Sequence, residues 1–500
     1  MGERSAVHLR GGRPTSPRRR ADTYALTSAD RQPSPRNTRR GTMPKRMIFT
    51  LLVMDSIGHN FHGIWRHPRA RNREFKAFDP WVDLAKRAEQ AKVDAFFFTD
   101  VIGVQGQYKG SSDVVFEMAM NVPIGDCTML IPAMAHQTQD IGFLYTSSVI
   151  QHHPFVFARA ASTLDHLSNG RIGWNIVTSA NEQAFRNLGL PGNLSHDERY
   201  AWAKEYVDVT YKLWEGSWDV DAIVDDPAAG IYADPAKVHP IKHDGERYSV
   251  DGFNLMEPSP QRTPVLAQAG GSPAGLDFAS RHAELMFLSA MSLETITQQI
   301  AGVRTMAREQ GRRDGDILFL QGMMFIVGST DEEAHRKWGE LEEYRSQEAQ
   351  TAYFSSLSGM DLGRFDAATH LEDILDDIPG IRGAFLSMIN AWPAGAKPTI
   401  KDFLTSLSLP QMVVGSPETI ASRLFEYQSA GVDGVQIMNA LMPESYHDFF
   451  DYVVPVLQDK GLMQTQYHPG TLREKLFETP TADIGERHPA YGYRGMFCSE

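Results

Sequence analysis

The stretch "RMIFTLLVMD", residues 46–55, is a run of apolar and β-favouring residues that ends at an acid. It shows neither helical spacing nor strict alternation, so it predicts a short strand buried on both faces. Seven similar runs follow: "VDAFFFTD" (93–100), "IGFLYTSSV" (141–149), "RIGWNIVTS" (171–179), "TPVLAQAG" (263–270), "AELMFLSA" (283–290), "ILFLQGMMFIVG" (317–328) and "GVDGVQIMN" (431–439). Helical patterns separate most of them, among them "PWVDLAKRAEQA" (80–91), "HPFVFARAASTLDHL" (153–167) and "SPETIASRLFEYQSA" (416–430). Fully apolar strands alternating with helices require parallel pairing covered on both sides. Eight such units, with no early Gly-x-Gly-x-x-Gly turn, point to an α/β fold of the (β/α)8 TIM-barrel type rather than an open dinucleotide-binding sheet.

Two segments exceed the minimal repeat. Residues 217–257, rich in Asp, Pro and Gly, and residues 331–410, carrying extra helical patterns, are read as insertions. Structureless loops of that length are uncommon in compact domains, so either insertion is a candidate lid or binding loop. Domain assignment then gives a barrel over 43–477 and a C-terminal tail over 478–500. Residues 1–42 hold two Arg-, Pro- and Ser-rich stretches, "RGGRPTSPRRR" and "RQPSPRNTRR". They lack the apolar core of a secretory signal and the amphipathic period of a transit peptide. A disordered extension, or a true start at Met43 or Met47, is expected over a targeting segment.

Composition narrows the function. The formal net charge is −13, yet residues 1–40 carry ten Arg, no Lys and three acids, so the remainder stands at −20. An acidic body without a basic stripe argues against nucleic acid as a partner. No apolar run approaches the length of a membrane span. Two cysteines, Cys127 and Cys498, are read as excluding a disulfide framework and any cysteine-based zinc or iron–sulfur site, and a cytoplasmic setting is expected. Without H-E-x-x-H, Walker A or Gly-x-Ser-x-Gly, no metal site, P-loop or hydrolase nucleophile is expected.

In a (β/α)8 barrel the C-terminal strand ends form the active face. Asp100 ends the second run, Thr146 lies near the end of the third, Asn175 in the fourth, and His59, His62 and Trp65 follow the first. Each also has a plain reading as a cap, a turn residue or loop packing. The fifth run leads into "QAGGSPAG" (268–275), where Ser272 suits an N-cap and Pro273 the first helical position. Exposed N–H groups, a hydroxyl and the helix dipole make this an anion site, or simply a capped junction. In "LSHDERYAWAKEY" (194–206), Ser195 and Glu198 form an S-x-x-E capping box, so a helix starts at His196 on the active face. Positions 196, 200, 203, 207, 210 and 214 share its inward stripe, which aims His196 and Tyr200 at the barrel mouth.

At these residues the chain resembles the flavin-dependent monooxygenases of the bacterial-luciferase superfamily, the group holding nitrilotriacetate, dibenzothiophene-sulfone, pristinamycin and long-chain-alkane monooxygenases. The likeness runs from Met47 to Phe477 through "HNFHGIWRHP", "DAFFFTD", "GRIGWNIVTSANEQAFRNLG", "HDERYAWAKEY", "DPAKVHPIKHDGERYSVDGFNL" and "TLREKLF". The resemblance implies FMN contacts at Asp100, Thr146, His196, Tyr200 and Ser272, with Ser272 and Tyr200 at the phosphate end, His196 at the ribityl or phosphate region, and Thr146 and Asp100 on the ring side. His59, His62 and Trp65 are the expected substrate side. It also implies a separate NAD(P)H-dependent flavin reductase supplying reduced FMN, O2 and a small organic substrate attacked at a C–N, C–S or alkane carbon, and a homodimer or homotetramer. No essential acid or base is assigned. A deazaflavin oxidoreductase and a non-catalytic flavin-binding protein are the alternatives. Two departures stand out: "GFNL" (252–255) replaces the family's "GPLN", expected to reshape the substrate entrance, and "QAGGS" replaces "QAGAS", expected to leave the anion site intact.

Overall fold

The computed structural model describes residues 45–498 except 105, 193, 379–388, 390–391, 393–394 and 407–410. Residues 1–42, and with them the expected extension, lie outside the described residues.

Thirteen strands are described. They are β1 (Ile48–Met54), β2 (Ala95–Thr99), β3 (Gly142–Ser148), β4 (Ile172–Val177), β5 (Ile223–Asp226), β6 (Ile231–Ala233), β7 (Ile241–Asp244), β8 (Ser249–Gly252), β9 (Val265–Ala269), β10 (Leu285–Phe287), β11 (Leu318–Val327), β12 (Met412–Gly415) and β13 (Gly434–Met438). The eight predicted runs form a closed parallel ring in the order β10-β9-β4-β3-β2-β1-β13-β11, with β11 pairing back onto β10. β12 has no counterpart among the eight predicted runs. It exists because β11 is ten residues long and outruns β13, leaving Met324–Val327 to pair with Met412–Gly415. A parallel strand needs a covered neighbour, and four residues suffice there.

Inward side chains at alternate positions, including Leu52, Phe97, Leu144, Ala267 and Leu320, fill the lower barrel as one apolar cluster. Leu472 and Leu476, from the short helix Leu472–Phe477, belong to the same cluster and close the N-terminal end of the barrel. Gly142 opens β3 without a side chain because a Cβ there would lie 2.5 Å from Leu472 Cδ1. The next residue, Arg473, is buried against Glu284 at 2.7 Å and donates to the carbonyls of Thr263 and Ala482. A buried cation is tolerated only when its donors are met in this way.

The insertions differ in position. The helix His196–Tyr211 runs down the barrel wall and continues through a π-helical turn, Lys212–Gly216, so residues 217–257 begin at the end opposite the mouth. Their β7–β8 hairpin then lies on the flank of that helix, where Glu205 accepts from Arg247 N and Tyr248 N at 2.9 Å each and Arg247 stacks on Trp202. In the second insertion, the helix Gln347–Ser358 packs on the loops after β1 and β2: Tyr353 meets His62 with ring centroids 5.1 Å apart, and Ser346 N donates to His62 O at 3.0 Å. The segment set apart as a tail packs closely: His488 Nε2 lies 2.9 Å from His282 O, and Arg494 pairs with Glu215 at 2.7 Å and Asp483 at 3.0 Å.

Candidate active site

Five consecutive strands of the ring, β1, β2, β3, β4 and β9, end in polar groups that form a continuous arc around the mouth. At β1 and β2, His59 Nε2 lies 3.3 Å from Thr99 Oγ1. Burial pushes Asp100 up to about 6, although Val101 N–H and Gln151 hydrogen-bond to it, and Asp126 and Asp55 add repulsion. Asp55, at the foot of the first loop, is likewise raised to about 6 by burial, then by Asp126.

At β3 and β4, Thr146 Oγ1 accepts from Asn175 Nδ2 at 2.9 Å, while Asn175 Oδ1 is buried without a protein partner. Both side chains point into the barrel above the apolar cluster. A buried amide oxygen lacking a donor costs about 1–3 kcal/mol, so a ligand N–H that meets it is favoured by that amount. An apolar floor under a polar rim accepts a flat heteroaromatic ring with hydrogen-bonding edges.

At β9 the loop turns tightly. A Cβ on Gly270 would lie 2.8 Å from Gln268 Nε2, one on Gly271 2.5 Å from Ser289 Oγ, and one on Gly275 2.7 Å from the Tyr200 hydroxyl. These contacts leave room only for glycine as the side chains stand, and the "QAGGS" departure has a local cause in Ser289. Ser272 caps the helix Pro273–His282, its Oγ accepting from Gly275 N at 3.1 Å. The other helix arrives through the expected capping box: Glu198 N donates to Ser195 Oγ at 3.3 Å, and Ser195 N to Glu198 Oε2 at 2.7 Å. His196 Nε2 thereby reaches Ser272 Oγ at 2.7 Å. Tyr200 packs beside it, ring centroids 4.9 Å apart, and its hydroxyl accepts from Gln268 Nε2 at 3.2 Å. Burial raises the phenol's pKa, so it keeps its proton for donation to an anion.

Arg199, not among the expected contacts, stands at the same junction. Its Nη1 donates to Ser179 O at 2.9 Å, its Nε is buried without a partner, and burial lowers its pKa. A guanidinium with an unmet donor next to a helix N-terminus, a hydroxyl and a phenol has the chemistry that suits a phosphate. The residues therefore fit a planar cofactor carrying a phosphate.

Of the expected substrate residues, His59 and His62 come together and Trp65 does not join them. Burial lowers His59 to about 3, helped by His62, and lowers His62 to about 4. Each imidazole is neutral and has a buried Nδ1 without a partner. The Trp65 indole donates to Met118 O at 3.1 Å and so anchors its loop. The "GFNL" change is also misplaced as an entrance feature. Asn254 is buried, accepts from Trp218 Nε1 through its carbonyl at 2.9 Å and donates to Ser217 Oγ at 2.9 Å, at the end of the barrel away from the mouth.

Fold and site together describe a barrel enzyme whose strand C-terminal ends fit a phosphorylated, planar cofactor. The chain belongs to the luciferase-like monooxygenases, whose family profile matches residues 60–434, and it is a flavin-dependent monooxygenase. The long-chain alkane monooxygenase of Geobacillus thermodenitrificans is 37% identical over 91% of this chain and 99% of its own length. The dimethyl-sulfide monooxygenase of Hyphomicrobium sulfonivorans is 37% identical over 92% and 96%. A crystal structure of DmoA from Hyphomicrobium sulfonivorans superposes with a TM-score of 0.84 at 37% identity, covering 90% of this chain and 96% of that one. A riboflavin lyase determined with modified FMN and riboflavin superposes with a TM-score of 0.83 at 33% identity, covering 90% and 100%. Among the described residues no helix is long and apolar enough to cross a membrane.

Proposed function

We propose that this enzyme oxygenates a small, uncharged apolar or organosulfur compound, with FMN held at the mouth by Asp100, Thr146, His196, Tyr200 and Ser272, joined by Arg199 and Asn175. Reduced FMN from a separate flavin reductase supplies the electrons with which O2 gives one oxygen atom to the substrate and the other to water. Arg199, Tyr200 and Ser272 bind and orient the phosphate. Thr146 offers its O–H as a donor and Asn175 its Oδ1 as an acceptor to the ring, and Asp100 lies beside them on the ring side. The helix Gln347–Ser358 covers the loops that carry His59 and His62, which fits a role in excluding water.

The observation that carries the substrate class is the pair of neutral imidazoles on the substrate side. Around them lie Val115, Met120, Ala349, Ala352 and Tyr353, an apolar wall that gives a polycarboxylate no compensating charge. The relatives named for alkane and dimethyl-sulfide substrates support the same choice. A homodimer or homotetramer in the cytoplasm completes the reading; both cysteines are free thiols, which suits a reducing compartment. The test is O2 uptake with reduced FMN against dialkyl sulfides, sulfones, alkanes and aminopolycarboxylates, with products read by mass spectrometry. Substrate-dependent uptake with a sulfide or alkane is expected; turnover confined to aminopolycarboxylates would refute the assignment.

A further inference from the structure

At the end of the barrel away from the mouth, three side chains from distant parts of the chain converge. Trp218 and Val238 form an isolated antiparallel bridge. Flanking backbone bonds, Asp219 N to Lys237 O at 3.0 Å and His239 N to Ser217 O at 2.8 Å, put Asp219 and His239 on one face, diagonally across the ladder. The C-terminal segment brings in Cys498. It is fastened by the Tyr493 hydroxyl to Asp208, by Arg494 to Glu215, and by Phe497 in the space beside Gly216.

One nitrogen faces both partners: His239 Nε2 lies 3.1 Å from Asp219 Oδ2 and 3.5 Å from Cys498 Sγ, and Sγ lies 3.9 Å from Asp219 Oδ1. A nucleophilic relay uses the two ring nitrogens for its two partners. Three donor atoms turned toward one point instead describe a shared cation. Zinc bond lengths of about 2.3 Å to sulfur and about 2.0 Å to nitrogen and oxygen, at tetrahedral angles, place the donors about 3.3–3.6 Å apart. The separations here are 3.1 Å from His239 Nε2 to Asp219 Oδ2, 3.5 Å from Nε2 to Cys498 Sγ and 3.9 Å from Sγ to the other carboxylate oxygen, Asp219 Oδ1, and one donor atom from each residue lies within 4.8 Å of the other two. His239 is nearly buried, with 7% of its side chain exposed, so its orientation is held by the fold rather than by solvent. Lys237, the cation on the same ladder, has its ammonium paired with Asp221.

We propose that Asp219, His239 and Cys498 bind one divalent cation of the zinc class, with water completing a four-coordinate site. The thiol proton leaves to solvent on binding, and thiolate plus carboxylate neutralise the ion. A thiolate–imidazole–carboxylate set favours zinc over magnesium or calcium. The ion fastens the C-terminal segment to the first insertion, at the barrel end away from the chemistry, where added contacts serve stability. Cysteine counting misses such a site, because one cysteine is enough when the fold supplies the other donors.

The full chain, stripped with chelator and titrated with Co2+, tests this. One equivalent should bind with a near-ultraviolet thiolate charge-transfer band and the visible bands of a four-coordinate site, and Zn2+ should displace it. Cys498→Ser should abolish the charge-transfer band, and Asp219→Asn and His239→Gln should weaken uptake by roughly tenfold or more. The other cysteine, Cys127, is buried and remains in the Cys498→Ser chain as an internal control. Zn2+ should also raise the thermal midpoint of the native chain and not that of Cys498→Ser. A titration with no thiolate band at one equivalent, or a band that survives Cys498→Ser, overturns the site.

Discussion

Ser272 Oγ and His196 Nε2 stand 2.7 Å apart and tie the helix after β9 to the helix after β4 at the barrel mouth. Two helix N-termini are thus directed at one point, one through a Ser cap and the other through a capping box. That convergence is the strongest local argument for a bound phosphate, because each N-terminus alone offers only a partial positive charge.

Removing the hydroxyls there should weaken FMN without harming the barrel. Tyr200→Phe and Ser272→Ala are each expected to raise the FMN dissociation constant about tenfold or more, the worth of one hydrogen bond to a charged group. Flavin fluorescence quenching reads the constant, and thermal unfolding checks the fold. Unchanged affinity in Tyr200→Phe would return Tyr200 to a packing role.

Gly275→Ala places a methyl 2.7 Å from the Tyr200 hydroxyl and 3.0 Å from Ser272 Oγ. Because both are held by neighbours, the expected result is overpacking of about 1–3 kcal/mol together with weaker FMN binding. A variant with native stability and native affinity would mean the loop shifts freely, contrary to the tight packing described above.

Asp55 gives a pH signature. Its folded pKa of about 6 exceeds its ordinary value of 3.8, so the folded state holds a proton that the unfolded state has released between those pH values. Stability therefore falls as pH rises through roughly 4 to 6 and stays lowered above it. Asp55→Asn should stabilise the chain more at pH 7.5 than at pH 4.5, measured by urea denaturation. Equal effects at the two pH values would show that Asp55 is not the buried, unpaired carboxylate its environment indicates.

Leu472→Ala should cost roughly 2–5 kcal/mol, as for other buried leucines, since Leu472 is fully buried in the floor of the barrel. FMN affinity measured below the unfolding transition should be unchanged. A large loss of FMN binding by a folded Leu472→Ala chain would show that floor and mouth are coupled.

His62→Leu removes an unpaired nitrogen while keeping apolar bulk against Tyr353. It should lower kcat/KM for the substrate with little change in the FMN dissociation constant. Equal losses in both would place His62 on the flavin instead.

The eight barrel strands were legible because a strand covered on both faces must be apolar throughout, and such runs are visible without knowing their partners. β12 was not, since its four residues acquire meaning only from the overhang of β11. The capping box at Ser195 and the N-cap at Ser272 were legible for a similar reason: their partners lie within three residues. Arg199, Gln268 and the free oxygen of Asn175 were not, because their significance depends on which donors tertiary packing leaves unmet. The position of "GFNL" was misjudged because insertion 217–257 starts below the barrel, a consequence of helix direction that local patterning cannot show.

The pairing of Ile48 with Gly434 closes the ring between strands 386 residues apart. During synthesis from the N-terminus, the hydrogen-bonding edge of β1 stays without its strand partner until β13 has emerged, and the floor stays open until Leu472 follows. The late arrival of β13 therefore decides when the first strand becomes safe from pairing with a stranger.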